Sequence, residues 1–177
     1  MASPFRPAST LLIQYAQYHR DRRNIATHFI GIPLIVFGVA VLLARVSLPL
    51  GGLALTLAAI VGLLVTLWYL SRGNLVLGLA VSAATWVLIA LAHLFASGSV
   101  GVWLGWGLGS FVVGWISQFI GHYYEGRKPA FVDDLVGLLV GPMFVTAEAL
   151  FALGWEPALH AEIERTAGPT VVRDLSH

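Results

Sequence analysis

IATHFIGIPLIVFGVAVLLARV, residues 25–46, carries no charge before Arg45 and is long enough to be a membrane-crossing helix, which takes about 20 residues. Three comparable runs follow at Leu50–Leu70, Leu75–Ala96 and Val100–Ile120. The links between them are short: Arg45 with Ser47 and Pro49, then Ser71-Arg72-Gly73-Asn74, then Ser97-Gly98-Ser99. Such links join antiparallel neighbouring helices. A soluble core can bury one such helix, but four in succession need a bilayer. The expected fold class is therefore all-α, a polytopic transmembrane helical bundle forming a single integral membrane domain over residues 1–177.

Composition agrees. Of 177 residues, 58% are hydrophobic and 11% are charged, and the mean hydropathy is +0.82. Soluble domains carry about 25% charged residues, so the polar side chains here are too few to cover a globule. A net charge of +1, with basic residues scattered between apolar runs, gives no nucleic-acid surface. The chain has no cysteine, which excludes disulfides, iron–sulfur clusters and thiolate nucleophiles. Met1–Thr10 is polar and proline-bearing and the first apolar run is too long for a signal core, so no cleavable leader is expected.

Outside the four runs, residues 9–23 read as an amphipathic helix at the interface, with Leu11, Leu12, Tyr15 and His19 at helical spacing. Asn24 is the expected N-cap of the first membrane helix. Residues 25–155 form the membrane part. Within it, Leu135–Trp155 contains Gly141-Pro142 and Glu148, which predicts a broken, re-entrant or interfacial pair of short helices in place of a fifth crossing. Residues 156–177 form a polar tail with a mobile end, in which His160 and His177 are solvated. Gly101, Gly105 and Gly109 predict a close helix contact. With four crossings, Arg6, Arg20, Arg22, Arg23, Arg72, Arg127 and Lys128 fall on one side and Arg45 on the other. Positive residues stay inside, so the N-terminus and the Arg127 loop are expected to be cytoplasmic.

Three of the six histidines fall on that same side. His19 and His28 are nine residues apart and would point away from each other on one helix, but a turn near Asp21–Asn24 lets them converge. His122 ends the fourth run, and spacings of four and three place Gln118, His122 and Glu125 on one helix face. Glu125 is expected either as a ligand or as an acceptor that orients an imidazole. Imidazole with carboxylate and no thiolate suits non-haem iron, zinc or manganese. Arg22, Arg23, Arg127 and Lys128 are candidate contacts for an acidic lipid head group. His93, about 30 Å away along the third run at about 1.5 Å per residue, is expected to be structural.

Tyr15-Ala-Gln-Tyr18-His19 with Asn24, His28 and Pro33, then Gln118-Phe-Ile-Gly-His122, Glu125, Pro129-Ala130, Asp134, Gly141-Pro142 and Glu148, resembles a widespread membrane family over residues 11–156. That family includes the fungal 2-hydroxy fatty acid dioxygenase of phytosphingosine breakdown. The resemblance implies an Fe(II)-dependent dioxygenase of lipid α-oxidation, converting a long-chain 2-hydroxy fatty acid and O2 to the fatty acid one carbon shorter and CO2. It implies iron ligation by His19, His28 and His122, with Glu125 beside them. Asn24 and Gln118 would support the ligands, and Arg22, Arg23, Arg127 and Lys128 would meet the substrate carboxylate. Membrane lipids are the expected surroundings, in a bacterial inner membrane or alternatively the endoplasmic reticulum. The competing readings are a non-catalytic membrane assembly factor or carrier and a haem electron carrier.

Overall fold

A computed structural model describes residues 5–50, 53–129 and 136–174. Ala130, Asp134, Leu135 and His177 lie outside the described residues. Among the described residues, seven helices and one hairpin follow in order: α1 (Ala8–Ala16), α2 (Arg22–Ala44), β1 (Ser47–Leu50), β2 (Leu53–Thr56), α3 (Leu57–Leu70), α4 (Leu75–Ala96), α5 (Val100–Glu125), α6 (Gly137–Ala152) and α7 (Pro157–Ala167). Helices α2, α4 and α5 are long and apolar enough to cross a membrane. Leu67, Leu94, Val113 and Phe119 are all more than half exposed on their outer faces, as a hydrocarbon solvent permits and water does not.

The second expected crossing is corrected. Leu50–Leu70 is not one helix: β1 and β2 pair antiparallel in the register Ser47↔Thr56 to Leu50↔Leu53. Pro49 cannot donate a helical hydrogen bond, and Thr56 starts α3 by accepting from Ala59 N through its side chain at 3.2 Å. That leaves α3 with 14 residues, or about 21 Å, short of the hydrocarbon thickness of about 30 Å. The C-terminal apolar segment also differs in detail. Helix α6 runs through Pro142, which lies near its start and removes only one early bond. The break comes later, at Gly154 (φ 83°) and Glu156 (φ 41°). There the chain bends by 119° into α7.

The tightest pairing in the bundle joins α2 and α5, and the glycines responsible are not those expected. Gly101, Gly105 and Gly109 face no packed neighbour. Instead a Cβ on Gly38 would lie 2.6 Å from the Gly107 carbonyl, and one on Gly114 would lie 2.7 Å from the Gly31 carbonyl. Nearer the end of α5, Gly121 leaves no room for a side chain against Asn24 and Thr27. These positions let two backbones touch. They bring the N-terminal turn of α2 against the C-terminal turn of α5, where His28 and His122 sit.

Helix α1 covers that end. It buries Leu11, Leu12, Tyr15 and Ala16 against a core that includes Phe144 and Phe151 of α6 and Ile163 of α7. It is shorter than the sequence suggested, ending at Ala16, and the turn that follows falls at residues 17–21. The described part of the tail is packed, and its last residues, 175–177, lie outside the described residues. Helix α7 packs on α1, and the strand-like segment after it bridges Asp21 through Val171, with Arg22 N donating to Val171 O at 2.8 Å and Val171 N to Arg20 O at 2.9 Å.

Candidate metal centre

Three elements deliver three imidazoles to one point. His19 comes from the α1–α2 turn, His28 from the second turn of α2 and His122 from the last turn of α5. All three are buried, and one ligand atom from each lies within 4.8 Å of the other two. Their ring centroids are 4.5, 4.9 and 5.1 Å apart, each pair edge-on, which leaves no slot for a porphyrin between them. Tyr15 stacks on His19 at 4.1 Å, only 4° from parallel.

The hydrogen bonds fix how two of the rings present themselves. His19 Nδ1 donates to the Tyr15 carbonyl at 2.7 Å, and His28 Nδ1 donates to the Asn24 carbonyl at 2.8 Å. A carbonyl only accepts, so in both rings the Nδ1 proton is committed and Nε2 carries a lone pair. Burial, reinforced by the neighbouring His28, pushes the His19 imidazole well below its ordinary value and keeps it neutral. The two Nε2 atoms face each other at 3.0 Å. Two acceptors so placed repel unless a cation lies between them. Imidazoles that bind one divalent ion at about 2.1 Å and at roughly a right angle stand about 3 Å apart. His122 Nδ1 is buried with no well-formed hydrogen bond among the described residues. The donor set therefore fits a transition metal of the imidazole-preferring kind.

Glu125 is fully buried but stands outside the three-histidine group. Its carboxylate is already engaged. Oε2 accepts from Arg20 N and Asp21 N, both at 2.8 Å, and from Asn24 Nδ2 at 3.1 Å, while Oε1 accepts from Arg173 Nη2 at 2.8 Å. It thus holds the backbone of the turn that carries His19. Asn24 is not the N-cap: Asp21 is, accepting from Arg23 N at 2.8 Å. The Asp21 carboxyl sits at about 2, chiefly because the Arg23 side chain donates to it and despite its burial. Lying inside the first turn, Asn24 ties Tyr18 O to Glu125, and its own carbonyl receives His28.

Gln118 buries its amide nitrogen with no partner among the described residues, and it lines a small cavity of about 60 Å³ together with His28, His122 and Tyr15. None of Arg22, Arg23, Arg127 or Lys128 lines that cavity. Arg23 pairs with Asp21 at 2.8 Å and lies over Tyr124, and Arg127 donates to Gln17 O at 2.9 Å. Arg22 is exposed, and Lys128 is engaged elsewhere. Glu148 has the partner its burial demands, Arg20 Nη2 at 3.8 Å. His160 is partly exposed, stacked on Phe151 and 3.9 Å from Glu164.

Two participants escaped sequence reasoning. Arg173 closes the site from the tail, both through Glu125 and by donating its backbone N–H to Asp21 Oδ2 at 2.8 Å. The β-branched Thr170-Val171-Val172 after Gly168-Pro169 is a weak extended-segment signal that pointed there. Trp115, which lines the cavity, gave no signal beyond its aromatic character.

The sequence model of the 2-hydroxy-palmitic acid dioxygenase Mpo1-like family matches residues 5–153. The 2-hydroxy-palmitic acid dioxygenase MPO1 of Saccharomyces cerevisiae is 34% identical over 153 residues, which cover 85% of this chain and 83% of the yeast protein. No solved structure matches. The family match ends before α7 and the Arg173 segment.

Proposed function

This chain belongs to the 2-hydroxy-palmitic acid dioxygenase Mpo1-like family, and from that premise we propose that it is an Fe(II)-dependent dioxygenase of lipid α-oxidation. The observation that carries the proposal is the buried convergence of His19, His28 and His122, with two lone pairs meeting at 3.0 Å. The substrate is a long-chain 2-hydroxy fatty acid. With O2 it gives the fatty acid one carbon shorter, CO2 from the carboxyl carbon, and water, the four electrons lost by the substrate being those that reduce O2.

His19, His28 and His122 would hold the iron. When bound there it supplies O2 activation and a Lewis-acidic seat for the substrate carboxylate and 2-hydroxyl. The remaining work falls to the chain. The Gln118 amide, buried and with no partner among the described residues, donates to the acidic head of the substrate. Committed Nδ1 protons on His19 and His28 keep both Nε2 atoms available as ligands. The Tyr15 ring and Phe144 wall His19 off from water. Glu125 positions the His19 turn and takes no ligand role. Arg22 and Arg127 act earlier, drawing the carboxylate to the membrane surface. Positive residues at this end of the bundle support a cytoplasmic N-terminus and site.

The test is O2 uptake by protein purified anaerobically and loaded with ferrous ion, on addition of 2-hydroxypalmitate. Pentadecanoate, detected by mass spectrometry, should appear in step with O2 consumption, and His122→Ala should reduce both to background. Full turnover by that variant would remove His122 from the site. Absence of turnover of any 2-hydroxy acid by the loaded protein would end the dioxygenase reading.

A further inference from the structure

A second cavity, of about 350 Å³, lies between α2, α3, α4, α5 and α6, deeper toward the hairpin end of the bundle. It shares Ile35, Val36, Trp115, Leu138 and Pro142 with the cavity beside the histidines. The two therefore abut along these shared side chains, polar at the histidine end and apolar beyond. The polar atoms along the deep part are self-satisfied: Tyr69 donates its hydroxyl to Leu139 O at 3.0 Å, and Thr85 donates to Val81 O at 2.8 Å. Nothing there seeks a hydrogen bond, so the fitting guest is hydrocarbon.

Length narrows the guest further. The space follows α2 from His28 to Leu43, or about 22 Å at about 1.5 Å per residue. An extended alkyl chain advances about 1.25 Å per carbon, given bonds of about 1.5 Å, so that length takes about 17 carbons. We propose that this groove holds the acyl chain of the substrate, threaded from the histidines past Val36 and Leu138 to an end at Leu43, Ala58 and Val61, and that it sets the chain length accepted. The proposal rests on the dioxygenase reading for the identity of the head group. It goes beyond that reading in naming the path of the tail and the residues that gauge it.

The experiment uses 2-hydroxypalmitate carrying a diazirine at its terminal carbon, photolysed in the full-length protein in detergent, with and without ferrous ion. Crosslinks are expected in residues 39–43 and 57–62, and an excess of unlabelled 2-hydroxypalmitate should displace them. Val36→Phe narrows the junction about 12 Å from His28. It should move those crosslinks out of the deep segment and lower kcat/KM for 2-hydroxypalmitate at least about tenfold while sparing 2-hydroxyoctanoate. Leu138→Trp, at a half-exposed position on α6, should do the same with less disturbance of folding. Crosslinks confined to outward residues such as Val112 or Ile116 would overturn the path. So would labelling of the deep segment by a diazirine phosphatidylcholine that 2-hydroxypalmitate does not displace. Because crosslinking is read without turnover, loss of the dioxygenase reading and loss of the groove give different results.

Discussion

Both ends of this bundle carry histidines, and they are treated in opposite ways. His93, near the hairpin, spends both ring nitrogens inside the protein, on Ile89 O at 2.7 Å and Thr56 Oγ1 at 3.2 Å. At the basic end, His19 and His28 spend one nitrogen each on a backbone carbonyl and turn the other toward a second lone pair. One end is a finished network. The other is an arrangement that could hold a cation. The contrast distinguishes a structural histidine from a ligand by what its second nitrogen faces, not by burial.

The largest effect that would break this contrast is thermal. Saturating ferrous ion at about 1,000 times its Kd stabilises a protein by about 4 kcal/mol, which for a chain of this size raises Tm by about 8–16 °C. Differential scanning fluorimetry should show that rise in the wild type and its reversal by a chelator, with neither in His28→Ala. An equal rise in the variant would mean that the ion binds elsewhere.

A smaller effect sharpens the contrast by loosening the support and sparing the ligands. Glu125→Gln removes the charge that organises the Arg20–Asp21 backbone and should weaken metal affinity by about 10–100-fold. Arg173→Ala should cost less, about tenfold, because the guanidinium is 36% exposed and its ion pair is screened. Competition with a fluorescent chelator measures both. If Glu125→Gln left affinity unchanged, the turn would not depend on its carboxylate. The smallest effect is at the other end. His93→Ala should lose about 1 kcal/mol from its hydrogen bonds and leave metal stoichiometry untouched, as metal analysis of the purified variant can establish.

How much of this was legible in the sequence depended on the range of the interaction. Apolar runs are local, so α2, α4 and α5 could be read almost to their ends. The histidine set could be read too, because a turn between His19 and His28 was the only way for them to meet. The hairpin at residues 47–56 was hidden because its leucines and alanines score as membrane helix, whereas Pro49 and the Thr56 cap decide against it. Capping by Asp21 and not Asn24 turned on a single hydrogen bond to Arg23 N. The surroundings of Glu125 were hidden for a different reason. One helical turn from His122 it looks like a ligand, and only the fold reveals that residues 104 and 105 positions earlier in the chain occupy its Oε2. The glycine stripe failed likewise, since spacing does not say which face of α5 meets α2.

The segment from Gly168 to Arg173 gives the site a place in time. Asp21 and Val171 pair across 150 positions of chain, and ribosomes add about 5–20 residues per second. The turn bearing His19 is thus made about 8–30 s before the segment that clamps it. Throughout that interval α1 and α2 exist without their last backbone partners. Contacts of such long sequence separation form late in folding as well. On the proposed reading the metal would be held best by the finished chain, since a nascent chain halted before residue 168 would carry all three histidines and Glu125 but lack the Val171 and Arg173 contacts that complete the clamp.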